Sequence, residues 1–240
     1  MLPPRLFRRL VLAPLVIIIA IAFGVLSPFL ALLALVFGLV ARSRAGHMRS
    51  LRLVGFALVW FVAEAVALFT LAGLWVVSGF GGRLRTGPYQ SRHYAVMRWF
   101  LDVLYRGAER TYGLRVEVDE PELTPEERLA RLAGPIIVLS RHAGPGDSFL
   151  LIHELLSVYG RRPRVVMKSA LQLDPSVDVL GNRLPNVFIQ HSKIGESLFT
   201  EQIKRLAAGL DATGALVIFP EGGNWTPGRW RRGKIGRAHV

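Results

Sequence analysis

At 240 residues the chain is long enough for one ordinary domain with a sizeable core and a separate N-terminal region. It has no cysteine, which excludes disulfide frameworks, thiolate metal sites and cysteine nucleophiles. The net charge of +13 is uneven: residues 1–100 carry 11 Arg, no Lys and a single acid, Glu64, in the most apolar part of a chain with mean hydropathy +0.36. Arginines at the edges of apolar runs point to anionic lipid headgroups, and no base-stacking module or recognition motif accompanies them, so nucleic acid is not expected as a partner.

Val11 to Ala41 is uncharged. As a helix it would be about 46 Å long, against a hydrocarbon core of about 30 Å. Pro14 and Pro28 divide it, so a tilted or kinked helix and a re-entrant hairpin breaking near Ser27-Pro28 are both allowed. Arg5, Arg8 and Arg9 would suit the start of a signal peptide, but the apolar run is too long and no small-x-small cleavage site ends it. Leu53 to Phe80 is a second run long enough to span, interrupted only by Glu64, which either serves a function or faces a helix partner or a water defect. Arginines flank every end of these runs, so the positive-inside rule gives no orientation.

After Gly81-Gly82 the pattern changes to that of a soluble domain. Met97, Phe100, Leu101 and Leu104 fall at helical spacing within Tyr89 to Thr111, predicting an amphipathic helix that lies near a membrane surface or packs on the domain core. Leu114 to Asp119 alternates as a half-buried strand does, and Pro125 to Ala133 reads as a short polar helix. Strands are then expected at Pro135 to Ser140, Arg164 to Lys168, Asn186 to Gln190 and Ala215 to Phe219. Helices are expected at Asp147 to Tyr159 and Glu196 to Ala208. The fold class is therefore α/β, a sheet with packed helices preceded by an α-helical membrane region. Residues 1–82 are expected to be the membrane-anchoring region and 83–240 the catalytic domain.

The chemistry-bearing residues sit at strand ends. Val138-Leu-Ser-Arg-His142-Ala-Gly-Pro-Gly-Asp147 places an imidazole at a strand end and a carboxylate five positions later at a helix start. Gly144, Pro145 and Gly146 make a turn tight enough to fold Asp147 back toward His142. A carboxylate on one ring nitrogen fixes the tautomer and leaves the other nitrogen as a base for an alcohol proton. The competing reading is Asp147 as a helix N-cap and His142 as a loop residue. Ile218-Phe219-Pro220-Glu221-Gly222, about 75 residues on, again closes an apolar run and would bring a second carboxylate and free backbone N–H groups to the same sheet edge.

These two blocks, in this order, resemble the glycerolipid acyltransferase family, typified by 1-acylglycerol-3-phosphate acyltransferases, whose marks are His-x4-Asp and Phe-Pro-Glu-Gly. The resemblance runs from about Pro135 to the C-terminus. Val166-Met-Lys168-Ser-Ala-Leu171, Pro175, Gly181 and Asn186-Val-Phe188-Ile189-Gln190-His191 look like the family's middle section. The resemblance implies that Lys168 helps hold the acceptor phosphate and that Glu221 and Gly222 belong to the substrate site. His191 and Lys193 stand where the family usually has an arginine, and Gly223-Asn224 replaces its usual Thr-Arg. Arg229, Arg231 and Arg232 are candidates for the missing phosphate contacts.

The resemblance further implies direct transfer from acyl-CoA or acyl carrier protein to a lysophospholipid hydroxyl. It calls for no metal, no cofactor and no covalent enzyme intermediate. The remaining partners would be membrane lipids, and the catalytic domain of an integral inner-membrane protein would face the cytoplasm, where thioesters are made. Two other readings compete. Gly146-Asp147-Ser148-Phe149-Leu150 looks like the Gly-Asp-Ser-Leu block of a lipase and esterase family with Ser148 as nucleophile, although no late Asp-x-x-His pair occurs. A non-catalytic membrane scaffold is the third reading. The family's fold continues past its Phe-Pro-Glu-Gly block, and Ile235 to Val240 match one reading frame of a common sequencing-library adapter. A C-terminally truncated chain of low solubility and little activity is therefore expected.

Overall fold

The computed structural model describes residues 2–40, 44–119, 124, 126, 133–141, 144, 146–189 and 196–219. They form two compact units: a helical one of residues 1–122 with 168–185, and an α/β one of residues 123–167 with 186–240.

The helical unit begins with a short turn, Arg5–Phe7, and a π-helical turn, Arg8–Leu12, that lead without a break into α1, Ala13–Val40. The hairpin allowed at Ser27-Pro28 does not form, and the helix continues through Pro28. Proline removes the N–H that would bond the Gly24 carbonyl, and the Ser27 hydroxyl donates to that carbonyl instead, at 2.8 Å. α2, Arg44–Val77, packs on α1, with the rings of Phe23 and Phe61 5.2 Å apart. Arg5–Val36 and Met48–Val77 reach mean hydropathies of 2.8 and 2.1, and each is long and apolar enough to cross a membrane.

α3, Gly87–Tyr112, buries Phe100, Leu101 and Leu104. Its apolar face lies against α2: Phe100 meets Trp60, Tyr112 meets Phe56, and Gly107 approaches Val59 so closely that an added Cβ would stand 2.9 Å from Val59 Cγ1. The packing found is on α2, within the helical unit. A short 3-10 turn, Ser169–Leu173, and α5, Pro175–Arg183, complete this unit. The side chain of Asp174 accepts from Val177 N at 2.9 Å, and Glu64 of α2 accepts from Ser176 N at 3.0 Å. Two carboxylates thus cap one helix start, and the lone acid of the apolar run faces a protein partner. Burial pushes the Asp174 carboxyl above its ordinary range.

His93 of α3 is fully buried, with Nδ1 2.6 Å from the Tyr89 carbonyl and Nε2 3.3 Å from Arg183 Nη1. The imidazole is the neutral tautomer that donates from Nδ1 and accepts at Nε2. Burial first, and the Arg183 charge after it, hold its pKa below the ordinary 6.5. Because the unfolded chain takes up this proton before the folded one does, stability is expected to fall as pH drops below 6.5. One proton limits the slope to about 1.4 kcal/mol per pH unit. Thermal midpoints in detergent from pH 5 to 8 test this, since His93→Gln should flatten that part of the curve; parallel curves for the two proteins would refute it.

The α/β unit holds β1, Ile136–Leu139; α4, Asp147–His153, continuing into a π-helical turn, Glu154–Val158; β2, Arg162–Lys168, whose last residue opens the segment grouped with the helical unit; β3, Val187–Ile189; α6, Glu196–Ala208; and β4, Gly214–Ile218. The strand order is β1-β4-β2-β3, and β4 pairs in parallel with both β1 and β2. Leu206 of α6 packs with Val166 and Leu216, and Ile203, Ala207, Leu210, Val187, Ile189 and Ile218 surround them. Arg161 binds the strand ends together, its Nη1 donating to the carbonyls of Gly134 and Ala212, each at 2.7 Å. No strand forms over residues 114–119, which run as exposed irregular chain. Among the described residues, alternation there has no neighbouring strand to pair with. The polar helix expected over Pro125 to Ala133 falls largely outside the described residues.

Candidate active site

Parallel pairing puts the carboxyl ends of β1 and β4 side by side. Leu139 is in register with Ile218, and Ser140 N donates to the Ile218 carbonyl at 3.0 Å. The chain leaves β1 into the His142 block and leaves β4 into Phe219 and Pro220, so both motifs issue from one sheet edge. Open α/β sheets bind their ligands beyond such ends.

Gly146, with φ of 94°, occupies the N-cap position, so Asp147 is the first residue of α4 rather than its cap. The Asp147 carboxylate still secures the turn. Oδ2 accepts from Gly144 N at 3.1 Å, and Oδ1 accepts from Ser148 N at 2.6 Å and from the Ser148 hydroxyl at 3.2 Å. A carboxylate has about four lone-pair sites, so it can accept several such bonds at once. Ile137 and Leu139 of β1 are 64% and 70% exposed and supply apolar surface next to the motif.

Of the other residues singled out from the sequence, Lys168 is the exposed last residue of β2. His142, Glu221 and Gly222 lie outside the described residues, as do His191, Lys193, Arg229, Arg231 and Arg232. Sequence reasoning passed over a polar cluster in the helical unit. Asp178 Oδ1 accepts from Arg8 Nε at 3.1 Å, from Arg8 Nη2 at 2.6 Å and from Asn182 at 3.1 Å, while Oδ2 accepts from Arg9 Nε at 3.2 Å. Gln172 Oε1 accepts a further bond from Arg8 Nη2 at 2.6 Å. The only local signal was Asp174-Pro175, a good helix start that would have revealed α5.

Comparison with known proteins adds one positive result: residues 115–240, more than half of the chain, match the acyltransferase family model. No curated protein and no solved structure matched. With both motif blocks inside the matched region and their strands adjacent in one parallel sheet, the chain belongs to the glycerolipid acyltransferase family.

Proposed function

We propose that this acyltransferase moves a fatty acyl group from acyl-CoA or acyl carrier protein to the free hydroxyl of a lysophospholipid, 1-acylglycerol-3-phosphate being the favoured acceptor. The observation that carries this reading is the in-register pairing of β1 with β4, which starts both motif blocks from one edge. His142 takes the hydroxyl proton, the oxygen attacks the thioester carbonyl carbon, and the tetrahedral intermediate expels the thiolate, which leaves with the proton. Asp147 orients the imidazole and stabilises its charged form. Exposed Ile137 and Leu139 suit the acyl chain, and Lys168, Glu221 and Gly222 are assigned to the substrates. Residues 1–82 serve as the anchor and 83–240 as the catalytic domain, in an inner membrane with that domain on the cytoplasmic side.

Membranes carrying the full chain, incubated with labelled acyl-CoA or acyl carrier protein and a panel of lysolipids, test the reading. Label should pass to 1-acylglycerol-3-phosphate and give the diacyl product. Background labelling of every acceptor would favour a scaffold, and release of free fatty acid that depends on Ser148 would favour an esterase. A protease-cleavable tag after residue 112 in sealed, oriented vesicles reads the sidedness, and cleavage from the outer face would contradict it.

A further inference from the structure

Positive charge is crowded where the two apolar helices meet the helical unit's polar end. Arg5, Arg8 and Arg9 precede α1, Arg85 follows α2, and Arg183 ends α5. Asp178 answers only part of this charge, because Arg8 and Arg9 already share its two oxygens. Asp174 and Glu64 are engaged at the opposite, N-terminal end of α5. Arg9 Nη2 is buried without a hydrogen-bond partner. Arg183 Nη1 reaches the Leu71 carbonyl at 2.7 Å and the His93 ring, and no carboxylate pairs with this guanidinium among the described residues.

We propose that Arg9 and Arg183, with Arg5 and Arg85 at the rim, form a binding site for the phosphomonoester headgroup of a membrane phospholipid. Guanidinium forks match phosphate oxygens, and a dianion supplies the charge that Asp178 does not. Burial, then the charges of Arg9 and Arg5, hold the Arg183 pKa down to about 10, a sign of cations crowded together. Arg85 lies within electrostatic reach of Arg5. A phosphate could come from a lipid or from solution. Leu6 and Leu10, exposed on the same helical turns as Arg5 and Arg9, favour the lipid because they give its chains an apolar surface next to the cations. None of these residues lies in either motif block, so the site does not rest on the acyl-transfer reading.

The test is the thermal midpoint of the full chain in neutral detergent, titrated with phosphatidic acid, phosphatidylglycerol, phosphatidylcholine or inorganic phosphate. A ligand that binds only the folded state raises the midpoint. Phosphatidic acid should raise it saturably and at lower concentration than phosphatidylglycerol, with phosphatidylcholine inert. Arg5 and Arg85 are exposed, so Arg5→Gln and Arg85→Gln should fold normally. Each should weaken the apparent affinity roughly fivefold. Arg183→Gln should weaken it more than Arg183→Lys. Phosphatidic acid is also the product of the proposed reaction, so Lys168→Gln, which removes a substrate contact assigned there, should leave this affinity unchanged; a loss equal to that in Arg5→Gln would place the lipid in the acyl-transfer site and overturn this one. Equal responses to the two anionic lipids, or unaltered affinity in the Arg5 and Arg85 variants, would overturn the site. Saturation by inorganic phosphate at the same concentrations would overturn the lipid assignment.

Discussion

Replacing His142 by alanine is expected to reduce acyl transfer by about a hundred- to ten-thousand-fold, the usual contribution of a positioned general base. Asp147→Asn should cost a similar factor for two reasons. It removes the charge that favours the imidazolium, and it sets an amide N–H against either the Gly144 or the Ser148 backbone N–H, both of which now donate to the carboxylate. Ser148→Ala loses one contact to Asp147 Oδ1 and should leave turnover within a few fold of the unaltered protein. Initial rates at matched protein level, with unfolding midpoints alongside, separate catalysis from folding. Near-normal turnover in His142→Ala would sink the mechanism, and loss of activity confined to Ser148→Ala would point to an esterase.

The second large effect should be on stability. The side chains of Arg8 and Asp178 are only 7% and 1% exposed, and their ion pair joins positions 170 residues apart. Asp178→Ala would strand a buried guanidinium and part of Arg9, so destabilisation of about 3–5 kcal/mol is expected. The double change Arg8→Met with Asp178→Leu should recover most of that loss, since it removes the uncompensated charge together with its former partner. Denaturation of the single and double variants in detergent measures both. A loss from Asp178→Ala no larger than for an exposed ion pair, under about 1 kcal/mol, would show that the pair does not hold α5 to the N-terminal turn.

Local pattern was legible where burial is decided locally. The apolar runs at residues 135–140 and 215–219 enclose β1 and β4, and the periodic stretch from Glu196 to Ala208 is α6. Uncharged length alone marked α1 and α2 as able to cross a membrane, although Pro28 left their geometry open until the Ser27 hydroxyl took over the Gly24 carbonyl. The alternation over Leu114 to Asp119 misled, because a strand is made by its partner and none lies there among the described residues. The middle of the chain was read for its motif residues, so α5 was missed despite Asp174-Pro175 at its start.

By itself the sequence determined the class: two apolar helices ahead of alternating strands and helices, and two motif blocks whose residue types and order specify acyl transfer within this family. These properties depend on periodicity and spacing over a few residues, which one chain segment carries alone. Tertiary structure decided which surfaces meet. It placed β4 rather than β2 beside β1, turned the apolar face of α3 onto α2, and gave Glu64 a helix N-terminus to cap. It also brought Arg8 and Arg9 to Asp178 and left Arg183 without a carboxylate among the described residues. Partners so distant in sequence are selected by packing and charge compensation over the whole unit, which no local spacing encodes.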